Sequence, residues 1–308
     1  ISVSGFLKEK INTVISKEET MQSTNETLIE EYEEEKLEGE QLEYEDGKIK
    51  YKFYYKNGEK LPKYYEYYPN GSLKISNEME IYYEEDTKIS NGTYIEYDNK
   101  GKVIKKEQYK NNELTGEYIG EDKQAYSGFI VVNYLDGELN GAYTRFYEDG
   151  KKRVETKYLK DKLEGEYKEY YENGKPKLIS NYKDDQLNGK YLSYYEDGKL
   201  ESSCYYKENE LNGECIKYYT NGKVKEKSLF KNGNFDGELI EYYENGNTKV
   251  KTKAINGKLN GECSYFYENG KLKEKRNYKD NLLIGENILY YENEKISRKQ
   301  NYVNGVLH

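Results

Sequence analysis

The chain has very little of what enzyme active sites are most often built from. Its 308 residues include a single histidine, His308, and no tryptophan. Catalytic triads, His–Cys dyads and His-based zinc sites all need an imidazole within the fold, so these classes of enzyme are excluded. The sequence has no G-x-S-x-G segment. Each Gly-Lys pair lacks the upstream glycine and the following Ser or Thr of a phosphate-binding loop.

Carboxylates are abundant, so composition alone leaves a paired-carboxylate hydrolase open. One set of glutamates, however, recurs at the same position beside a turn, as a structural repeat would produce: Glu172, Glu196, Glu244 and Glu268. Asp184-Asp185 lacks the ligand spacing of a calcium loop and fits a return turn. We therefore predict that the protein is not an enzyme and has no cofactor and no metal site.

Long apolar runs and an excess of basic charge are also missing. No stretch reaches the roughly 18 apolar residues of a membrane span. The net charge is −9, from 49 Lys and Arg against 58 Asp and Glu, which argues against nucleic acid or anionic lipid as the main partner. Neither nucleic-acid binding nor direct membrane insertion is expected. Because the chain begins at Ile1, both a cytoplasmic location and export after removal of a signal remain open.

Cysteines are few: Cys204, Cys215 and Cys263. Cys215 and Cys263 are two repeats apart, on the order of 19 Å at two strands per repeat, which is too far for a disulfide. Cys204 and Cys215 fall on neighbouring strands, where either a bridge or two reduced thiols is open. We favour reduced cysteines that act as small buried apolar residues.

What the sequence does contain is a repeat. A glycine recurs every 24 residues at Gly141, Gly165, Gly189, Gly213, Gly237, Gly261 and Gly285. A constant period of this size indicates units that stack because each is too small to bury its own apolar face. We predict a repeat domain over residues 37–308, degenerate over 37–140 and strict over 141–308. Residues 1–36 lack the period and predict a short helix from Phe6 to Ile15, either a cap on the first strand or a tether.

Each strict unit is predicted to be a β-hairpin followed by a return turn. In the unit opened by Gly165, strands are expected at Glu166–Tyr171 and Pro176–Tyr182. Asn173-Gly174 predicts a type I′ turn between them, because that turn needs positive φ at both central residues. The same turn is expected at Asp149-Gly150, Asp197-Gly198, Asn221-Gly222, Asn245-Gly246 and Asn269-Gly270. The last unit has Asn293-Glu294, which predicts strain or another turn type.

Most of the aromatic content is tyrosine, with 39 residues, and each unit carries an aromatic pair. Adjacent strand residues point to opposite faces, so each pair places one ring on each face. The second rings, such as Tyr171, share a face with Leu200, Val224 and Leu272 and are expected to be buried. The first rings are expected to form an exposed ladder that contacts a partner: Tyr170, Tyr194, Tyr218, Tyr242, Phe266 and Tyr290.

The unit G-E-Y-x-x-Y-Y-E-N-G-K-x-K, with L-x-G at its opening, resembles the MORN repeat in its bacterial variant, found in YwqK-type antitoxins. The resemblance implies an all-β fold: an elongated, single-layer antiparallel meander of hairpins. It also implies association with other proteins rather than catalysis. Some MORN proteins associate with membranes or lipids, and the antitoxin label implies neutralisation of a toxin.

Three non-catalytic functions are consistent with this surface. The favoured one is a scaffold that binds a protein partner through stiff aromatic anchors ringed by charge. A glycan- or cell-wall-binding module is the second, because stacked rings pack on sugars or quaternary ammonium groups, although the best ring for this purpose, Trp, is missing. A rigid spacer is the third. The sequence identifies neither the partner nor the oligomeric state.

Overall fold

A computed structural model describes residues 36–122 and 128–308, and within them the chain is entirely strand, turn and loop. The predicted N-terminal helix lies outside the described residues. The strands before the internal gap are β1 (Gly39–Glu45), β2 (Lys48–Lys56), β3 (Glu59–Tyr67), β4 (Leu73–Asn77), β5 (Glu80–Glu84), β6 (Thr87–Tyr97), β7 (Val103–Lys110), β8 (Glu113–Leu114) and β9 (Gly116–Glu121).

The strands after the gap carry the strict repeats, apart from the first, which precedes them. The first ten are β10 (Phe129–Leu135), β11 (Glu138–Phe146), β12 (Lys152–Leu159), β13 (Lys162–Leu163), β14 (Gly165–Tyr170), β15 (Pro176–Lys183), β16 (Gln186–Tyr194), β17 (Leu200–Lys207), β18 (Glu210–Leu211) and β19 (Gly213–Tyr218). The rest are β20 (Val224–Lys231), β21 (Asn234–Tyr242), β22 (Thr248–Ile255), β23 (Lys258–Leu259), β24 (Gly261–Phe266), β25 (Leu272–Lys279), β26 (Leu282–Tyr290), β27 (Ile296–Val303) and β28 (Val306–Leu307).

Successive strands pair antiparallel along the chain and form one open meander. The first described strand, β1, pairs with β2, and β28 at the other end pairs with β27, so no ladder closes the sheet. This confirms the predicted fold class, an elongated single-layer antiparallel meander. Strand β5 departs from it, since it pairs with β6 alone.

The turn that closes each hairpin is a three-residue loop, so the type I′ prediction is wrong there. In the unit of Gly165, the Tyr171 N–H donates to the Lys175 carbonyl and the Gly174 N–H donates to the Tyr171 carbonyl, both at 2.9 Å. Gly174 has a φ of 82° and Asn173 has no positive φ. The geometry is a type I turn followed by a left-handed glycine. The prediction fails likewise at Asp149-Gly150, Asp197-Gly198, Asn221-Gly222, Asn245-Gly246 and Asn269-Gly270, where only the glycine has positive φ.

Type I′ geometry occurs instead at the return turns. Asp184 and Asp185 have φ values of 50° and 65°, and two positive φ values in a two-residue loop define this turn. In the last hairpin, Glu294 takes the position of the glycine with a φ of 66° and keeps the same hydrogen bonds. The expected strain is therefore present, because a left-handed conformation costs a residue with a Cβ about 1–2 kcal/mol.

The glycines that open the units lie where the ladder between units changes register. Between β15 and β16, Ser180 lies opposite Tyr191 but Tyr182 lies opposite Leu187, so the pairing slips across Gly189. Gly189 has a φ of 118°. Such bulges need a residue that tolerates positive φ, which explains the glycine at every 24th position.

The buried core is thin and made of small side chains. Val132 and Ser180 are fully buried, and the other buried apolar residues are Val154, Cys204, Cys215, Ala254 and Cys263. Large rings lie around this strip without being fully covered. The sheet therefore has too little aliphatic material for a second layer and relies on hydrogen bonds between neighbouring units.

The predicted contrast in exposure between the two rings of each pair is not found. Tyr170 and Tyr171 are both half-buried. A bulge also moves Leu200 opposite the first ring, Tyr194, rather than beside the second. Val224 and Leu272 lie opposite Tyr218 and Phe266 in the same way. Strict alternation fails here because the bulge adds one residue to the returning strand.

The expectation of reduced cysteines is wrong for one pair. Cys204 in β17 and Cys215 in β19 lie on adjacent strands, with their Cα atoms 4.0 Å apart, and form a disulfide. Their neighbours Ser203 and Ile216 are partners in the ladder, which brings the two thiols opposite each other. Cys263 is free and buried, as expected.

Candidate functional site

The second ring of every aromatic pair from Tyr147 to Tyr267 connects one unit to the next, whereas Tyr291 in the last unit is 56% exposed. The Tyr171 hydroxyl donates to the backbone carbonyl of Tyr194 at 2.7 Å, one unit further along. The same bond joins Tyr68 to Tyr97, Tyr147 to Tyr170, Tyr195 to Tyr218, Tyr219 to Tyr242, Tyr243 to Phe266 and Tyr267 to Tyr290. In each bond the acceptor is the backbone carbonyl of the first ring of the next unit. We call these bonds the tyrosine staple.

The first rings have a different use for their hydroxyls. Those of Tyr194, Tyr218, Tyr242 and Tyr290 have no hydrogen-bond partner within the described residues, and their oxygens are accessible to solvent. The six rings predicted as a contact ladder thus lie at one position in six successive units, half-buried and mostly with free hydroxyls. In a pair such as Tyr194-Tyr195, the hydroxyl of the second ring connects two units, and that of the first ring is free.

Tyr170 is the member of the ladder whose hydroxyl is engaged. It donates to Glu155, which also accepts from Lys152. Burial and this hydrogen bond raise the pKa of Tyr170 to about 12. Burial would raise the pKa of Glu155, but the hydrogen bonds from Lys152 and Tyr170 outweigh it and leave that pKa lowered. The contact ladder with free hydroxyls therefore begins at Tyr194.

The staple is interrupted where the repeat is irregular. Position for position, Asp122 takes the place of a second ring in the unit opened by Gly116. Its carboxylate pairs with Arg145 of the following unit, with the Arg145 Nε 2.8 Å from Oδ2 and Nη2 2.9 Å from Oδ1. The Asp122 side chain is only 3% exposed. A buried two-point ion pair does here what a tyrosine hydroxyl does elsewhere.

Both turn edges carry further bonds between units. At the hairpin turns, the Lys175 Nζ donates to the Asp197 carbonyl at 2.7 Å, and Asn173 donates to the Glu196 carbonyl at 2.9 Å. At the return turns, Asp185 Oδ1 accepts from the Leu163 N–H at 2.6 Å. Asp161, Asn209 and Asn281 accept in the same way.

Sequence reasoning identified these turns but missed these bonds. The signal was present in the sequence. An Asp or Asn recurs as the second residue of the return turn at 24-residue spacing, and its side-chain oxygen can accept a hydrogen bond from the neighbouring unit. Asp184-Asp185 is the return turn that was expected. Within the described residues, no group of three or more His, Cys, Asp or Glu side chains is arranged to hold a metal ion. None of the described segments forms a helix that is long and apolar enough to span a membrane.

An open sheet of stacked hairpins, with hydrogen bonds that connect each unit only to its neighbours, defines a β-repeat protein. The family model for the MORN repeat variant matches nine segments: residues 37–57, 90–111, 139–160, 163–184, 187–208, 211–232, 235–255, 259–280 and 283–304. These segments cover more than half of the chain, and the chain belongs to the MORN repeat variant family. Repeats of this type are non-catalytic and are commonly involved in protein or membrane-lipid interactions.

No curated protein matches the sequence. Among solved structures, the crystal structure of TcdB2-TccC3-TEV matches with 11% identity and a TM-score of 0.15. The match covers 86% of this chain, which spans 17% of the length of that one. A likeness this weak informs neither fold nor function.

Proposed function

We propose that this chain is a non-catalytic scaffold that binds a protein partner through its first-ring ladder: Tyr170, Tyr194, Tyr218, Tyr242, Phe266 and Tyr290. One observation carries the proposal. The hydroxyls of the second rings are consumed inside the sheet, whereas those of Tyr194, Tyr218 and Tyr242 are free in three consecutive units. A fold that needed tyrosine only for packing would have no use for these hydroxyls.

The ladder suits a protein surface for physical reasons. With two strands per unit, neighbouring rings repeat at about 10 Å. Tyrosine offers a large contact area at low conformational cost and adds a hydrogen bond. The surrounding charges are paired on the surface, as between Lys168 and Glu166. A partner would therefore bury rings that are already held in place and would meet no strong field of one sign.

Affinity capture from the organism that encodes the chain tests this function. We expect wild-type protein to retain a partner that the Tyr194→Ala, Tyr218→Ala, Tyr242→Ala triple variant loses. Tyr205→Ala is the matched control, because Tyr205 is 49% exposed and lies outside the ladder. Circular dichroism would establish that all three proteins are folded. Equal capture by the triple variant would refute the ladder, and retention on purified cell wall with release by choline or sugar would favour the glycan alternative.

The antitoxin-like form of the proposal, in which the partner is a toxin, rests on the resemblance of the repeat unit to YwqK-type antitoxins. It predicts that a captured partner arrests growth when expressed alone. Co-expression of the scaffold should then restore growth, and the triple variant should not. Deletion of one whole 24-residue unit without any loss of function would instead favour a spacer.

A further inference from the structure

A second surface, unrelated to the ladder, lies where β5 interrupts the repeat. The family model matches residues 37–57 and 90–111 but not the stretch between them. In that stretch β5 leaves the main sheet and forms a hairpin with the first half of β6, closed by Glu85 and Asp86 with φ values of 47° and 67°. Residues 80–88 are all exposed.

The free edge of β5 has a defined polarity. Glu84 lies opposite Thr87 across a two-residue turn, so that pair is hydrogen-bonded and the pairs alternate from there. Ile81 and Tyr83 therefore direct their N–H and carbonyl groups away from β6. Their ladder partners on β6, Ser90 and Lys88, confirm this alternation. The backbone groups of both residues point away from β5 and form hydrogen bonds with the Asn112 side chain.

The first half of β3 is not a ladder partner of β5. β3 pairs with β4 only from Tyr64 onward, so no ladder joins its first half, Glu59–Lys63, to β5. Pro62 lies in that half and has no N–H to donate. The unpaired edge of β5 contains no proline and has exposed Ile81, Tyr82 and Tyr83, with Tyr83 at 69%.

The charge around this edge is mostly acidic, with one lysine, Lys88, opposite Tyr83 on β6. Glu80, Glu84, Glu85 and Asp86 surround the three apolar residues, and none of the four forms an ion pair with any residue that the structure describes. A strand that adds to a sheet edge gains affinity from main-chain hydrogen bonds and specificity from its side chains. The complement to this edge is an extended segment that alternates basic and apolar residues.

We propose that the free edge of β5 accepts a basic, extended segment of a protein partner as an added antiparallel or parallel strand. This goes beyond the first-ring ladder, since it uses an inserted strand and main-chain recognition. The occupant is defined by its chemistry: lysine or arginine alternating with apolar residues, without proline.

Fluorescence anisotropy with the full chain and labelled model peptides tests this surface. An alternating Lys-Val peptide should bind, and a Glu-Val peptide of the same length should not. The Lys-Val peptide with alternate residues N-methylated should lose binding about tenfold or more, because it retains its charge but not the N–H groups that pair with the edge.

Variants at one position separate strand addition from charge attraction. Tyr83→Pro removes an outward N–H while leaving the β5–β6 ladder intact, and it should weaken peptide binding about tenfold. Tyr83→Val keeps that N–H and should stay within about threefold of wild type. The proposal is wrong if the N-methylated peptide binds as tightly as the plain Lys-Val peptide and Tyr83→Pro binds as tightly as wild type. It is also wrong if the Lys-Val peptide does not bind wild-type protein at all. Neither result depends on the first-ring ladder.

Discussion

Replacing Asp122 with alanine is expected to lower the free energy of unfolding by about 3–5 kcal/mol, because it leaves the Arg145 guanidinium without its buried counter-charge. The two side chains make a two-point contact, and Asp122 is 3% exposed against 19% for Arg145. Urea unfolding followed by circular dichroism measures the loss.

The double variant Asp122→Ala, Arg145→Met is the control that isolates the pair. It removes both charges, so the cost of a buried guanidinium that has lost the Asp122 carboxylate disappears and most of the lost stability should return. If the loss in the double variant equals the sum of the losses in Asp122→Ala and Arg145→Met, the two residues act independently. The ion pair would then not be what replaces the tyrosine staple at this unit.

Gly92→Ala should cost about 3 kcal/mol or more, because backbone strain and overlap with neighbouring atoms add together. A Cβ at Gly92 would lie 2.3 Å from the Glu78 carbonyl oxygen and 2.9 Å from the Met79 Cα, and its φ is 123°. Both neighbours are backbone atoms that cannot rotate away. The chain would have to shift where it enters β5.

Gly165→Ala is the matched control for this substitution. Gly165 opens its unit at the equivalent position with a φ of 85°, but a Cβ there would meet nothing within 4 Å. It should lose only the cost of a left-handed alanine, about 1–2 kcal/mol. Thermal unfolding of both variants gives the comparison, and equal losses would contradict the close approach of β6 to Glu78.

The repeat could be predicted from the sequence because each of its recurring positions is occupied by a residue with one strong conformational preference. The 24-residue glycines located the start of each unit, and the alternation of Tyr, Lys and Glu located the strands. The turn types could not be predicted in this way. Asn-Gly is compatible both with a type I′ turn and with a type I turn followed by glycine, and the choice depends on how many residues the bulged strand inserts.

The candidate site was predicted only in part. The position of the first rings follows from the period, but hydroxyl bonds between units depend on how far one hairpin is displaced along its neighbour. That displacement depends on the register between units. Between β15 and β16 the register shifts by two residues from Ser180 to Tyr182. For the same reason the sequence left open whether Cys204 and Cys215 lie opposite each other. Strand β5 was missed because the sequence between Asn70-Gly71 and Gly92 lacks the period that made the other strands visible.

The central claim is that the two rings have different roles in the pairs Tyr194-Tyr195, Tyr218-Tyr219 and Tyr242-Tyr243, and removal of hydroxyl groups tests it most directly. The measurement is the urea midpoint of two triple variants that differ only in which ring is changed. Tyr195→Phe, Tyr219→Phe, Tyr243→Phe removes three staples, and Tyr194→Phe, Tyr218→Phe, Tyr242→Phe removes three free hydroxyls.

We expect the first triple to lose about 0.5–1.5 kcal/mol per hydroxyl, because each bond to a carbonyl is broken. The second triple should unfold at the wild-type midpoint with an unchanged slope. Equal destabilisation of the two triples, or a larger loss in the first-ring variant, would contradict the account.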